Sequence, residues 1–239
     1  MKKVAILQSN YIPWKGYFDL LADVDEFIIY DDVQYTKSDW RNRNQIKTKD
    51  GLKWLTIPVY AKKRVTKAQT IRETIIQNVD FSAKHWDLIF QSYRRAPYYN
   101  DISDWLKPLY KDLQTDNLSE LNRIFIEAIC RYLKIETIIS NSWDYTLEGD
   151  RTERLVNMCQ QASATVYVSG PAAKNYLNES LFTCNGVQVE WFSYEGYPEY
   201  HQLHGDFIHN VTILDVLFNA GEEASHYTWK WRDKHNSQL

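Results

Sequence analysis

Val4-Ala5-Ile6-Leu7-Gln8-Ser9-Asn10-Tyr11-Ile12-Pro13-Trp14-Lys15-Gly16-Tyr17-Phe18 reads as a strand that feeds a helix. The apolar run Val4 to Leu7 begins almost at the N-terminus, as a central parallel strand does. Pro13 suits a first helical turn, where its missing N–H is no loss, and the helix continues through Phe18-Asp19-Leu20-Leu21 to Ala22. Gln8, Ser9 and Asn10 then fall at the carboxyl end of the strand, beside a helix N-terminus. In open α/β sheets ligands bind at that place, and free backbone N–H groups there favour anions. Asn and Ser also cap helices well, so the tip reads either as ligand-facing or as a cap.

Outward from this unit the α/β rhythm recurs. Glu26 to Tyr30, Glu136 to Ser140 with Ser142 at its tip, Ala164 to Val168 and Val187 to Phe192 read as strands. Lys53 to Val59 and Thr70 to Gln77 read as two more, the first following the Asp50-Gly51 turn. Arg151 to Gln161 reads as a capped helix with Leu155, Met158 and Cys159 inward, and Thr212 to Asn219 as one carrying Leu214, Leu217 and Phe218 into the core. Between Ser82 and Leu133 the spacing is helical throughout: a Ser82-capped helix with Trp86, Ile89, Phe90 and Tyr93, a second over Asp101 to Leu113 with Pro108 as a break, and a third over Leu118 to Leu133. The sum predicts an α/β fold: a mostly parallel, Rossmann-like sheet covered by helices, in one domain over 1–239, with a helical insertion at about 80–133 and an exposed polar tail at about 222–239.

Composition narrows the classes. Hydrophobic content of 44% and charged content of 25% are those of a soluble globular protein, and a net charge of −3 argues against a nucleic-acid coat. Nine Trp and seventeen Tyr supply rings with polar handles, suited to binding clefts. Cys130, Cys159 and Cys184, odd in number and widely spaced, make neither a disulfide framework nor a zinc motif. No signal peptide and no membrane-length apolar run is visible, which predicts a cytoplasmic protein. His201-x-x-His204 lies in a loop without carboxylates at defined spacing, so no metal is expected.

The densest chemistry follows the second strand. Asp31, Asp32, Gln34, Tyr35, Trp40, Arg41, Asn42, Arg43, Asn44 and Lys47 crowd a stretch that an ordinary loop would fill with Gly, Pro and Ser. These groups can grip a polar ligand bidentately and stack on it. With Gln8, Asn10, Tyr11 and Trp14 at the first strand tip, Ser169, Gly170 and Lys174 at a later one, and His209 and Asn210 before the last helix, they form four polar clusters at predicted strand ends. A parallel sheet brings such ends to one edge. Of the paired carboxylates Asp31 and Asp32, alternation sends at most one to a ligand. Lys62, Lys63, Arg64 and Lys67 form a basic cluster that reads as a solvated loop, and the chain has no Walker loop, Gly-x-Gly-x-x-Gly or Gly-x-Ser-x-Gly.

Taken together, residues 8–18, Asp31-Asp32-Val33-Gln34-Tyr35, Arg41-Asn42-Arg43-Asn44-Gln45-Ile46-Lys47, Trp54-Leu55-Thr56-Ile57-Pro58-Val59, the stretch 167–177 and Leu214 to Gly221 resemble the WbqC-like family over nearly the whole chain. Many relatives carry His-Gln-Pro where this chain has Leu7-Gln8-Ser9. The resemblance implies a role in bacterial surface-polysaccharide (lipopolysaccharide, O-antigen) biosynthesis, on a nucleotide-linked or lipid-linked amino sugar. It leads us to expect a transferase moving an acyl or aminoacyl group onto the sugar's amine, with no certain cofactor beyond that donor or a nucleotide. In that reading Arg41 and Arg43 hold phosphate or carboxylate, Tyr11, Trp14, Tyr35 or Trp40 stacks on base or sugar, and Asp32 or His209 takes the amine proton. The first strand and its Pro-Trp helix also resemble nucleotidylyl-transferase-like folds, which leaves a nucleotide-dependent ligase as one alternative and a non-catalytic binding module as another.

Overall fold

The computed structural model describes residues 1–60 and 69–228. The chain runs β1 (Lys3–Leu7), α1 (Lys15–Asp23), β2 (Glu26–Ile29), β3 (Arg43–Thr48), β4 (Gly51–Thr56), α2 (Asp80–Tyr93), α3 (Tyr99–Lys111) and α4 (Leu118–Tyr132). It continues through β5 (Ile138–Asn141), α5 (Arg151–Gln161), β6 (Val166–Ser169), α6 (Glu179–Cys184), β7 (Gln188–Trp191) and α7 (Leu214–Ala220). Five strands make a parallel sheet in the order β5-β2-β1-β6-β7, and β3 and β4 form a separate antiparallel hairpin.

The short apolar strands are explained by burial on both sheet faces. Ala5, Phe27, Ile29, Val166 and Val168 face one side, under α1, α4 and α7 through Phe18, Leu21, Leu121, Phe125 and Leu217. Val4, Ile6, Ile28, Tyr30 and Tyr167 face the other, under α5 and α6 through Leu155, Met158, Cys159 and Phe182. The period-two alternation of a strand sorts the residues between the two cores.

Counted within the sheet, the order is third, second, first, fourth, fifth, as in doubly wound nucleotide-binding folds. The chain leaves β1 toward β2, then crosses back after β5 to the opposite side of β1. The carboxyl ends of β1 and β6 therefore border the crevice where the winding reverses.

Several local expectations change. Arg43 to Thr48, expected as a ligand-gripping loop, pairs with β4 instead, from Arg43 opposite Thr56 to Thr48 opposite Gly51. Its turn uses Gly51 at φ +95°, a left-handed conformation that glycine adopts freely. β4 stops at Thr56, because Pro58 has no N–H to give a ladder. The expected strand Thr70 to Gln77 makes only the isolated bridges Gln34–Thr70, Val59–Ile76 and Ile75–Asn117 among the described residues; β-branched alternation without a neighbouring strand does not make a sheet. Ser82 lies inside α2 and donates to the Tyr110 carbonyl at 2.5 Å rather than capping. α3 runs through Pro108 unbroken, since the proline sits in its final turn and its own carbonyl still accepts from the Asp112 N–H at 2.9 Å.

Pro13 precedes α1, whose N-cap is Trp14. Of the residues expected as an exposed polar tail, 222–227 belong to a 3-10 turn, Gly221–Tyr227, with Ala224, Ser225 and the following Thr228 buried; the rest, 229–239, lie outside the described residues. The basic cluster at 62–67 lies outside the described residues. No helix among the described residues is long and apolar enough to cross a membrane.

Candidate functional site

The β1 tip is built rigidly from below. Asp31, fully buried at the end of β2, accepts from the Ser9 N–H at 2.9 Å, the Ser9 hydroxyl at 2.7 Å and the Ser119 hydroxyl of α4. Burial pushes its carboxyl above the ordinary value, against the pull of these donors and of Arg41. Asn122, also from α4, donates to Ser9 Oγ at 3.0 Å and to the Arg41 carbonyl at 2.8 Å. The Arg41 side chain reaches back to Gln8 Oε1 at 2.9 Å and to Asn10 Oδ1. Beyond the tip, Ile12 has φ +36°, a costly conformation for a β-branched residue. It is held there by Asn44 Nδ2 at 2.8 Å and Thr212 Oγ1 at 2.7 Å, both donating to its carbonyl.

Two cavities flank this tip. The larger, about 900 Å³, lies at the crevice where the winding reverses and is lined by Gln8, Gln34, Ser169 and Gly170. It is also lined by Asp150, Arg151 and Arg154 from the start of α5, and by Tyr176. The Arg151 guanidinium stacks over Tyr176, 3.7 Å from the ring centroid, and Arg154 Nε donates to the Gly149 carbonyl at 3.0 Å. Asp150 caps α5, accepting from the N–H groups of Thr152 at 2.8 Å and Glu153 at 2.9 Å. The smaller cavity, about 410 Å³, is lined by Asn10, Pro13, Trp14, Trp40, Asn44, Gln45 and Asn210. Its lining is amide, indole and proline, without a charged side chain.

The structure thus brings Gln8, Gln34, Ser169 and Gly170 to one cavity and Asn10, Trp14, Trp40, Asn44 and Asn210 to the other, with Arg41 bound to both sides of the tip between them. The remaining candidates are placed elsewhere. Tyr11 is fully buried, its hydroxyl bonded to His85 Nδ1 at 2.9 Å and Tyr110 Oη at 2.6 Å. Tyr35 is buried in the core, and Asn42 spends its amide on the Ile57 carbonyl at 2.8 Å. Lys47 is buried and clamps the following loop through Gln202 Oε1 at 2.6 Å and the Asp206 carbonyl. Asp31 braces the tip and does not line either cavity.

Asp32 accepts from Ser142 Oγ at 2.7 Å and pairs with Arg72 at 3.4 Å, joining the tips of β2 and β5. The Arg43 guanidinium lies over Trp54, 4.2 Å from its centroid, and exposed Lys174 lies over Trp191 at 5.5 Å. His209, next in sequence to the cavity residue Asn210, is exposed and meets Phe207 edge-on at 4.5 Å. Desolvation, then the nearby Lys15 ammonium, holds its imidazole below the ordinary value, so it is neutral at pH 7. Lys15 is buried among the rings of Tyr197, Tyr200 and Phe207, and desolvation brings its ammonium down to about 8.

Arg151 and Arg154 are not among the residues expected at the site, whereas Tyr176 closes the Ser169–Tyr176 cluster expected at the later strand tip. A signal was present: two arginines in the first turns of a helix sit at the positive end of its dipole, the unfavourable end for a cation. An anion at that end reverses the sign.

No solved structure matches the chain. It is 56% identical over 227 residues to "Uncharacterized protein Rv1507c" of Mycobacterium tuberculosis (strain ATCC 25618 / H37Rv), across 95% of this chain and 97% of that one. The pattern of the WbqC-like protein family matches residues 8–227. That match begins at the β1 tip, takes in the polar lining of both cavities and ends in the last described turn: the chain belongs to the WbqC-like protein family.

Proposed function

We propose that the protein is an enzyme of surface-polysaccharide biosynthesis that binds a nucleotide-linked amino sugar and transfers an acyl or aminoacyl group to its amine. One observation carries the reading: Arg151 and Arg154 both line a cavity of about 900 Å³ on the carboxyl edge of a Rossmann-ordered sheet. Guanidinium pairs suit the oxygens of a diphosphate, and the volume is that of a cofactor-sized ligand. Gln8, Gln34 and Ser169 offer the hydrogen bonds that orient it. In the transfer the sugar amine attacks the carbonyl carbon of a thioester or ester donor. The C–S or C–O bond breaks, and the proton passes from nitrogen to the departing thiolate or alkoxide, a transfer we assign to His209 because it is next in sequence to the cavity residue Asn210.

The test is a thermal-shift and mass-spectrometric screen with nucleoside diphosphate sugars, free nucleoside diphosphates, ATP-Mg and acyl donors. A ligand at 100 times its Kd adds about 2.7 kcal/mol, or roughly 5–10 °C at this chain length. Each charge-assisted hydrogen bond contributes about 1.5–3 kcal/mol, so Arg151→Ala with Arg154→Ala is expected to weaken nucleotide-sugar binding by roughly 100-fold or more. Product heavier than the sugar by one acyl group supports the transferase. Pyrophosphate release from ATP replaces it with a ligase, and binding without turnover replaces it with a binding module. Full affinity in the double variant removes the arginines from the site.

A further inference from the structure

We propose that the smaller cavity is a subsite for an uncharged pyranose ring. The subsite deepens the nucleotide-sugar reading and rests on it for one point, that the sugar lies across β1 from its phosphates. A sugar ring presents hydroxyls that both donate and accept, and a face of C–H groups that is apolar. Carboxamides match the first and indole faces the second. The cavity supplies Asn10, Gln45 and Asn210 with Trp14 and Trp40, and its lining carries no charge. An ionised ligand group there would give up hydration to a lining without a charged side chain, because the Arg41 guanidinium behind the wall is already engaged by Asn10, Gln8 and Asp39, so the ring that fits is neutral. An acceptor amine held there is favoured as the free base, the form that attacks a carbonyl.

The walls are preorganised. Asn44 uses both amide hydrogens on the Tyr11 and Ile12 carbonyls, at 3.1 and 2.8 Å, and its oxygen accepts from the Gln45 N–H at 2.8 Å, which fixes the floor. The side chains of Gln45 and Asn210 have no hydrogen-bond partner among the described residues, which leaves them for a ligand. Trp14 packs against Tyr194 and Tyr197, with centroids 5.4 and 6.0 Å apart. Its indole lies so close over Gly16 that a Cβ there would come within 2.4 Å of the ring. Trp40 is 44% exposed, an indole that the fold itself does not bury, backed by Trp54 at 5.6 Å.

The experiment is saturation-transfer NMR and calorimetry on the full chain with glucose, N-acetylglucosamine, glucuronate and a nucleoside diphosphate as separate probes. The neutral sugars are expected to bind with saturation at their ring C–H protons, and glucuronate at least tenfold more weakly. Trp40→Ala is expected to cost the neutral sugar at least tenfold in affinity while nucleoside diphosphate binding stays as it was. Gly16→Ala is the second variant. A helical Gly→Ala change favours the helix by roughly 0.5–1 kcal/mol, so retained thermal stability with a tenfold loss of sugar affinity would place the effect on the displaced Trp14. The proposal is overturned by glucuronate binding as well as glucose, by wild-type sugar affinity in both variants, or by no sugar binding at any soluble concentration. Diphosphate binding alone would sink the subsite and leave the larger cavity's reading intact; sugar binding alone would do the reverse.

Discussion

Asp31→Ala is expected to destabilise the protein by about 3–5 kcal/mol at neutral pH, because it strands buried donors whose only compensation is this carboxylate. Three bonds converge on it, from the Ser9 N–H, the Ser9 hydroxyl and the Ser119 hydroxyl. The Ser9 N–H cannot turn elsewhere, and Ser9 and Ser119 are themselves buried. The drop in Tm should be about 10 °C at this length. Asp31→Asn should lose clearly less: its oxygen still accepts from the Ser9 N–H, the hydroxyls can rotate, and the cost of burying a charge disappears. Equal losses for the two variants, read from denaturant melts, would contradict the role assigned to the carboxylate. Since Ser9 lies between Gln8 and Asn10, both variants should also weaken ligand binding at the two cavities.

The second large effect is an acid-labile core histidine. His85 on α2 is buried, receives or donates one bond with the Tyr11 hydroxyl at 2.9 Å, and packs beside Phe81 and Tyr110. Desolvation lowers its imidazole from 6.5 to about 4, against a hydrogen bond to the Thr56 backbone. The folded-state value is the depressed one, so the stability it contributes is complete above about pH 6.5 and is lost as pH falls toward 4. By pH 4.5 the loss amounts to about 2.5 kcal/mol. Asp31 and Asp215, whose carboxyls burial raises, titrate with the opposite sign, so the quantity to read is the difference between wild type and His85→Gln. Urea midpoints at pH 7 and 4.5 should converge between the two proteins as the pH falls. Parallel curves would show that His85 is solvated or already charged.

Much of the architecture is legible in the sequence. Val4–Leu7 and Val166–Val168 are apolar on successive residues, and that is the mark of a strand covered on both faces. The capped helix expected over Arg151 to Gln161 is α5, and the structure identifies its reciprocal cap as Asp150 and Glu153. The site was legible only in part. Gln8, Asn10, Trp14 and Trp40 reach cavities, whereas Tyr11, Tyr35, Asn42 and Lys47, drawn from the same polar-aromatic stretches, turn inward to satisfy buried partners. Residue type tells what a side chain can do, and both fates use the same hydrogen-bonding groups.

By itself, then, the sequence determined the α/β class, the helical segment between the sheet strands and the family, because period-two and helical hydrophobic patterns are local properties of the chain. Only the tertiary structure decided that Arg43–Thr48 is a hairpin strand, that Arg151 and Arg154 share a cavity with Gln8, and that the polar clusters divide into a cationic and a neutral cavity. Those facts depend on the order β5-β2-β1-β6-β7, which places residues some 140 positions apart at one sheet edge. No local pattern encodes which strand lies beside which.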